Sequence, residues 1–163
     1  MSELLLRGER RDVPASANHE ELAKLKAEGY NMLVDLTCVD YLPQGKSPRF
    51  DVIYRLMKLD ASTGQDLGRL EIHCAVDDLP ILRSVKNIYP SADWLEREVW
   101  DMFGVKFADR PDIKRLLMYE EFVGHPLRKD YPIAKRQPLI GPKSGDKAGS
   151  PSFNILHPTI TGE

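Results

Sequence analysis

The side chains able to do chemistry crowd into one stretch, residues 89–132, which reads YPSADWLEREVWDMFGVKFADRPDIKRLLMYEEFVGHPLRKDYP. Three carboxylates, Glu96, Glu98 and Asp101, share one short segment with Arg97, and His125 follows. Paired acids and a histidine are the raw material of general acid–base catalysis, but the work requires a shared face and a companion nucleophile. Glu96 and Glu98 lie about 200° apart around a helix axis, so they do not face each other. Glu98 and Asp101, three residues apart, do share a face, and no nucleophile accompanies them in sequence. The chain contains no GxSxG elbow, phosphate loop or dinucleotide fingerprint, and Gly64 and Gly68 read as isolated turn glycines.

Sulfur chemistry is bounded as tightly. The two cysteines, Cys38 and Cys74, each sit inside an apolar run and read as small buried side chains rather than a disulfide. An iron–sulfur cluster takes four closely spaced thiolates, which this chain cannot supply alone. His73 beside Cys74 lacks partners at zinc-ligand spacing. His125 alone reads as a hydrogen-bonded structural histidine.

The elements that must position these residues follow from periodicity. The 163 residues suit one domain with a proper core. A net charge of −2 gives no basic field for nucleic acid, and no apolar run approaches the length of a membrane helix. The three-leucine run near the N-terminus is too short for a signal segment, so the chain is expected to stay in the compartment where it is made. Residues 4–12 form a first strand, and a helix opens at residues 16–20 with Ser16 or Asn18 as cap and stops at Gly29. Residues 31–41 alternate, placing Met32, Val34, Leu36 and Cys38 on one face. Phe50, Val52, Tyr54 and Leu56 align in a second strand, and Leu70, Ile72 and Cys74 in a third. Antiparallel hairpins connect these strands, and residues 79–86 form a short helix.

The next helix starts at Ser91 as N-cap, buries Leu95, Val99, Met102 and Phe103, and stops at Gly104. Asp93 and Arg97 are placed to pair at i,i+4. Asp101 is anomalous, because the helix dipole disfavours an acid in the last turn. With Trp94 and Glu98 it marks a face that meets another protein or a basic part of its own chain. Residues 105–107 are extended, and Asp109, Pro111 and Asp112 make a turn. Between Arg110 and Arg136 seven basic residues stand against four acids, a local excess suited to an acidic partner or to the acidic helix.

The expected fold is therefore α+β: a two-layer domain with a mixed or antiparallel sheet, helices on one face, and an extended C-terminal arm. Residues 1–132 form the domain. Residues 133–163, rich in proline and glycine with apolar beads at Leu139-Ile140 and residues 153–156, form an extended partner-binding tail.

Three blocks carry a resemblance: Glu96 to Gly104 (EREVWDMFG), Arg110 to Leu117 (RPDIKRLL) and Gly124 to Pro132 (GHPLRKDYP). In this order and spacing they closely resemble the signature of the 30 kDa subunit family of respiratory complex I, whose bacterial members are the C subunit of NADH-quinone oxidoreductase. A weaker match covers residues 30–56, and the tail shows none. The family usually has His where this chain has Arg110, and the N-terminal part looks shorter than usual. The resemblance implies a structural subunit of the hydrophilic arm, docked against the forty-nine-kilodalton-type quinone-site subunit (the D subunit) among other arm subunits. It would support electron transfer from NADH to quinone coupled to proton translocation without a catalytic site of its own. It implies no cofactor or metal in this chain, with FMN, iron–sulfur clusters and quinone in partner subunits. It also implies a peripheral place on the cytoplasmic side of the bacterial inner membrane, with membrane contact only through the complex. Family-signature and interface roles fall to Glu96, Arg97, Glu98, Asp101, Gly104, Arg115, Gly124, His125, Pro126, Arg128, Lys129 and Asp130. The electron donor stays open, so an equivalent subunit of a membrane-bound hydrogenase or a ferredoxin-linked complex is an alternative. A free-standing small-molecule enzyme using Glu98, Asp101 and His125 is a distant one.

Overall fold

Alternating apolar residues build a four-stranded sheet in a computed structural model that describes residues 8–77, 81–111, 113–134, 136 and 137. Strands β1 (Glu9–Asp12), β2 (Met32–Asp40), β3 (Phe50–Leu59) and β4 (Asp66–Val76) run in the order β1-β4-β3-β2. The β2–β3 and β3–β4 pairs are antiparallel and β1 joins β4 in parallel, so the sheet is mixed. Phe50, Val52, Tyr54 and Leu56 of β3 and Leu70, Ile72 and Cys74 of β4 are all buried, as their period of two requires. Helices α1 (Asn18–Ala27) and α2 (Ala92–Phe103) contribute Leu22, Leu25, Val99, Met102 and Phe103 to the same core. Burying a leucine side chain of this kind contributes about 1.5–3 kcal/mol.

Strand β2 departs from simple alternation. Leu33 pairs with Leu56 and Asp35 with Arg55, leaving Val34 as an extra residue in a bulge. The bulge shifts the phase: Leu33, Leu36 and Cys38 are buried, while Met32 and Val34, expected beside them, are exposed. Residues 81–83 also differ from expectation. They form a short strand, β5 (Ile81–Arg83), parallel to β6 (Lys106–Ala108), where a helix was expected. Its ladder partners lie far along the chain, beyond the reach of a local pattern.

Capping differs too. Neither Ser16 nor Asn18 caps α1, whose N-cap position is Ala17. Asn18 is fully buried and its amide donates to the Arg83 carbonyl (2.8 Å) and to Tyr54 Oη (3.3 Å), while its Oδ1 accepts from the Arg83 amide (3.3 Å). It anchors β5 to the core. Ser91 precedes α2 as expected, yet its hydroxyl donates to the Leu33 carbonyl (3.2 Å) and not to the helix. Residues 4–7 of the expected first strand, Asp112 of the expected turn, and the tail beads at Leu139-Ile140 and residues 153–156 lie outside the described residues.

Candidate functional site

Helix α2 is amphipathic in an unusual sense: its inner face buries two acids, Glu96 and Asp101, along with its apolar stripe. A buried carboxylate demands partners. Glu96 Oε1 accepts from the Val85 amide (2.8 Å), and Oε2 accepts from Ser84 Oγ (2.8 Å) and Arg110 Nη1 (3.0 Å). Burial pushes the Glu96 carboxyl above its ordinary value, and these donors oppose the shift without cancelling it. The Arg110 guanidinium also reaches Asp93 (2.8 Å) and is itself buried. It thus spans two carboxylates one turn apart on α2.

The expected Asp93–Arg97 pair is not what these side chains do. Asp93 faces Arg110 and Lys86, and Arg97 donates to the carbonyls of Lys114 (3.0 Å) and Arg115 (2.9 Å). A long-range partner with fixed backbone geometry has displaced the weak local pair, which is worth only about 0.2–0.5 kcal/mol.

Asp101 resolves the dipole anomaly. Its Oδ2 accepts three consecutive backbone amides, from Leu116 (3.0 Å), Leu117 (2.9 Å) and Met118 (2.9 Å), and its Oδ1 accepts from Arg115 (2.6 Å). Burial alone would raise this carboxyl. The three amides and the guanidinium outweigh that and hold it below its ordinary value. Arg110 and residues 113–118 are therefore a strap laid along α2, fastened at Asp93, Glu96, Arg97 and Asp101.

A second segment closes the end of the helix. The last four carbonyls of a helix lack intrahelical partners. Here Trp100 O accepts from the Gly104 amide (2.8 Å), Asp101 O from His125 Nδ1 (3.0 Å), Met102 O from the Leu127 amide (3.0 Å), and Phe103 O from Arg128 (3.5 Å). Since a carbonyl can only accept, His125 carries its proton on Nδ1. Burial also pushes its pKa below the ordinary histidine value, which favours the neutral ring. Gly104 takes the left-handed conformation (φ 79°), and a Cβ there would lie 2.7 Å from His125. Gly124 is also left-handed (φ 104°), and its carbonyl accepts from Arg115 (3.1 Å), as does that of Phe122 (2.7 Å).

The remaining signature residues tie this cap to the sheet. Arg128 and Asp130 form a two-pronged pair (3.0 and 3.1 Å), and Asp130 also receives Arg49 (3.1 Å). Arg49 grips Asp40 (2.6 and 2.8 Å), whose Oδ2 accepts the Lys129 amide (2.8 Å). Lys129 thus contributes its backbone, and its side chain is exposed. Arg49 and Arg128 both lie over the Phe50 ring, at 4.7 and 5.1 Å. Pro126, half-buried, separates His125 from Leu127, two of the three cap residues that bond α2.

Glu98 and Asp101 are not an acid pair: Glu98 is exposed and Asp101 fully buried. What the helix shows outward is Trp94, 59% exposed beneath the Arg97 guanidinium, with Leu117, Val123 and Leu127 also exposed. Sequence reasoning missed Asp40, Arg49 and the buried His73–Asp51 pair (2.8 Å). Nothing in their spacing signals a joint role. Cys38 and Cys74 are free and buried, their thiols pushed by burial up to about 12. Among the described residues no group of three or more His, Cys, Asp or Glu is arranged for a metal, and no helix is long and apolar enough to cross a membrane.

All three signature blocks meet in this one knot, and the family model for the 30 Kd subunit of the respiratory-chain NADH dehydrogenase matches residues 11–137. The chain belongs to this family. Subunit 5 of NADH-quinone oxidoreductase from Thermus thermophilus is 39% identical over 131 residues, which are 78% of this chain and 63% of that relative. The C subunit of the same oxidoreductase from Citrifermentans bemidjiense is 44% identical over 119 residues, covering 69% and 67%. The chain thus spans just under two thirds of the Thermus relative's length. Among solved structures, a trypsin-resistant fragment of Nqo5 superposes with a TM-score of 0.58 at 36% identity, covering 63% of this chain and 80% of the fragment. The α+β fold with its mixed sheet is the one expected of a member of this family.

Proposed function

We propose that this chain is a structural subunit of the hydrophilic arm of an NADH-quinone oxidoreductase, docking against the forty-nine-kilodalton-type quinone-site subunit. One observation carries the reading: the charged signature groups Glu96, Arg97, Asp101, Arg115, Arg128 and Asp130 are spent on holding the strap and cap to α2. Their hydrogen bonds are made within the chain, and the frame they hold together carries the exposed Trp94, Leu117, Val123 and Leu127. Exposed apolar residues on a fixed frame suit protein docking. In this role the chain supports electron transfer from NADH to quinone, coupled to proton translocation, as a member of the assembly. FMN, iron–sulfur clusters and quinone are carried by other subunits. The complex holds it peripherally on the cytoplasmic side of the bacterial inner membrane.

The test is a mild-detergent pull-down of the tagged chain from its native membranes, with mass spectrometry of what co-elutes. Recovery with a quinone-site subunit and with flavin and iron–sulfur subunits supports the reading. Recovery as a monomer without them sinks it. A set with hydrogenase or ferredoxin-linked members would assign the chain to the related assembly.

A further inference from the structure

The face of the sheet turned away from the helices carries a row of charged side chains. Asp51 and Arg55 of β3 alternate with the core residues Phe50, Val52 and Tyr54, and Glu71 and His73 of β4 alternate with Leu70, Ile72 and Cys74. Asp51 Oδ2 contacts His73 Nδ1 at 2.8 Å, and Glu71 Oε1 accepts from Arg55 Nε at 3.0 Å. Arg55 Nη1 donates in turn to Asp35 Oδ2 of β2 (3.2 Å). The row thus runs Asp51, His73, Glu71, Arg55, Asp35, and it is broken at one step. His73 Nε2 lies 3.6 Å from Glu71 Oε2, too long for a hydrogen bond.

His73 and Asp51 are buried (7% and 3% exposed), and among the described residues neither His73 Nε2 nor Asp51 Oδ1 has a hydrogen-bond partner. An ionised carboxylate only accepts, so the proton of the neutral ring sits on Nδ1, toward Asp51. Nε2 then turns a lone pair toward a carboxylate oxygen, acceptor against acceptor, and a buried polar atom left so is costly. The other charged groups beside this ring are engaged elsewhere. Asp12 of β1, level with His73, binds Arg10 (2.7 and 3.1 Å), which is level with Glu71. Tyr41 and Lys46 of the β2–β3 loop act electrostatically on that pair.

We propose that His73 is a proton-binding site of the sheet: it takes a second proton on Nε2 and shares it with Glu71. Histidine is the side chain that gains a charge in the physiological pH range. The proton comes from water by way of Glu71, whose side chain is 22% exposed, and no other bond breaks. One carboxylate serves both partners, Oε1 holding Arg55 and Oε2 the ring. With the proton in place the row alternates in sign at every step from Asp51 to Asp35, and charge-assisted hydrogen bonds run along it across β4, β3 and β2. Acid fastens this face and alkali loosens it. The inference goes beyond the subunit reading and needs nothing from it, because it rests on the geometry around one ring.

NMR of the imidazole nitrogens in the full chain tests it, between about pH 8.5 and 5.5. At the alkaline end the His73 ring is expected as the Nδ1–H tautomer. At the acid end both nitrogens should carry protons, with an Nε2–H signal slow enough in exchange with water to be seen. In E71A that proton is expected to exchange roughly tenfold faster, for loss of its charged acceptor, while the His19 ring signals stay the same. An Nε2–H tautomer at the alkaline end would overturn the proposal. So would a ring that stays neutral at the acid end, or equal exchange in the two chains, which would mean that Glu71 does not hold the proton. Unchanged backbone amide signals away from β3 and β4 confirm the native fold of E71A before rates are compared.

Discussion

Asp101 and Arg115 form the centre of the knot: the carboxylate accepts Arg115 at 2.6 Å, and the same guanidinium reaches past the helix to the carbonyls of Phe122 and Gly124. The two residues thereby join helix, strap and cap. Asp101 is fully buried, so removing either partner leaves the other with unmet hydrogen bonds.

Asp101→Ala is expected to lower stability by about 3–5 kcal/mol, the range for breaking a buried charge pair. Arg115→Ala should cost a similar amount, and the double variant less than the two together, with a coupling of about 0.5–3 kcal/mol. Urea unfolding of the four chains gives the cycle. Additive losses would mean that the two residues act independently.

Gly104 and His125 make a steric pair. Gly104→Ala forces a left-handed alanine, at about 1–2 kcal/mol, and drives its Cβ to 2.7 Å from the His125 ring. H125A should relieve the clash but not the backbone term, so G104A is expected to cost less in an H125A background. Thermal unfolding of G104A in both backgrounds measures the difference.

Asp40 predicts an acid limb in stability. Its hydrogen bonds with Arg49 lower its pKa from 3.8 to about 2 in the folded chain. A depressed value stabilises the fold above the unfolded pKa, and the contribution of about 2 kcal/mol disappears as pH falls from about 4 through the folded value. Asp40→Asn should flatten the urea midpoint across that window while lowering it at neutral pH. An unchanged acid slope would remove Asp40 as the source.

His125 should titrate below the ordinary histidine value, because burial opposes its charged form. Two-dimensional NMR of the imidazole nitrogens is expected to show the Nδ1–H tautomer at neutral pH. The folded pKa lies below the unfolded one, so its contribution is present above about pH 6.5 and is lost as pH falls through the folded value. An Nε2–H tautomer would contradict the bond to the Asp101 carbonyl.

The thiols offer a simple check on burial. Cys38 and Cys74, with pKa values near 12, should resist a thiol reagent at pH 8 in the native chain and react at once in denaturant. Fast native labelling would show that the sheet opens readily.

By itself the sequence determined what depends on neighbouring residues. The buried faces of β3 and β4 follow from a period of two, and α2 with its Gly104 stop from helical spacing and backbone freedom. The three family blocks were legible for the same reason, since each is a contiguous word. Tertiary structure alone decided which partner each charged group took. Arg97 could meet Asp93 locally, but carbonyls of the strap claimed it, and Arg110, fourteen residues on, took Asp93's companion Glu96. The bulge at Val34 reversed part of a correctly read strand, because an extra residue shows only against a paired neighbour. Likewise β5 exists because β6 lies beside it, and Asn18 binds β5 in place of capping its own helix. Periodicity and capping act over a few residues, whereas a buried charge or a strand edge is satisfied by whatever partner the fold brings within hydrogen-bonding distance.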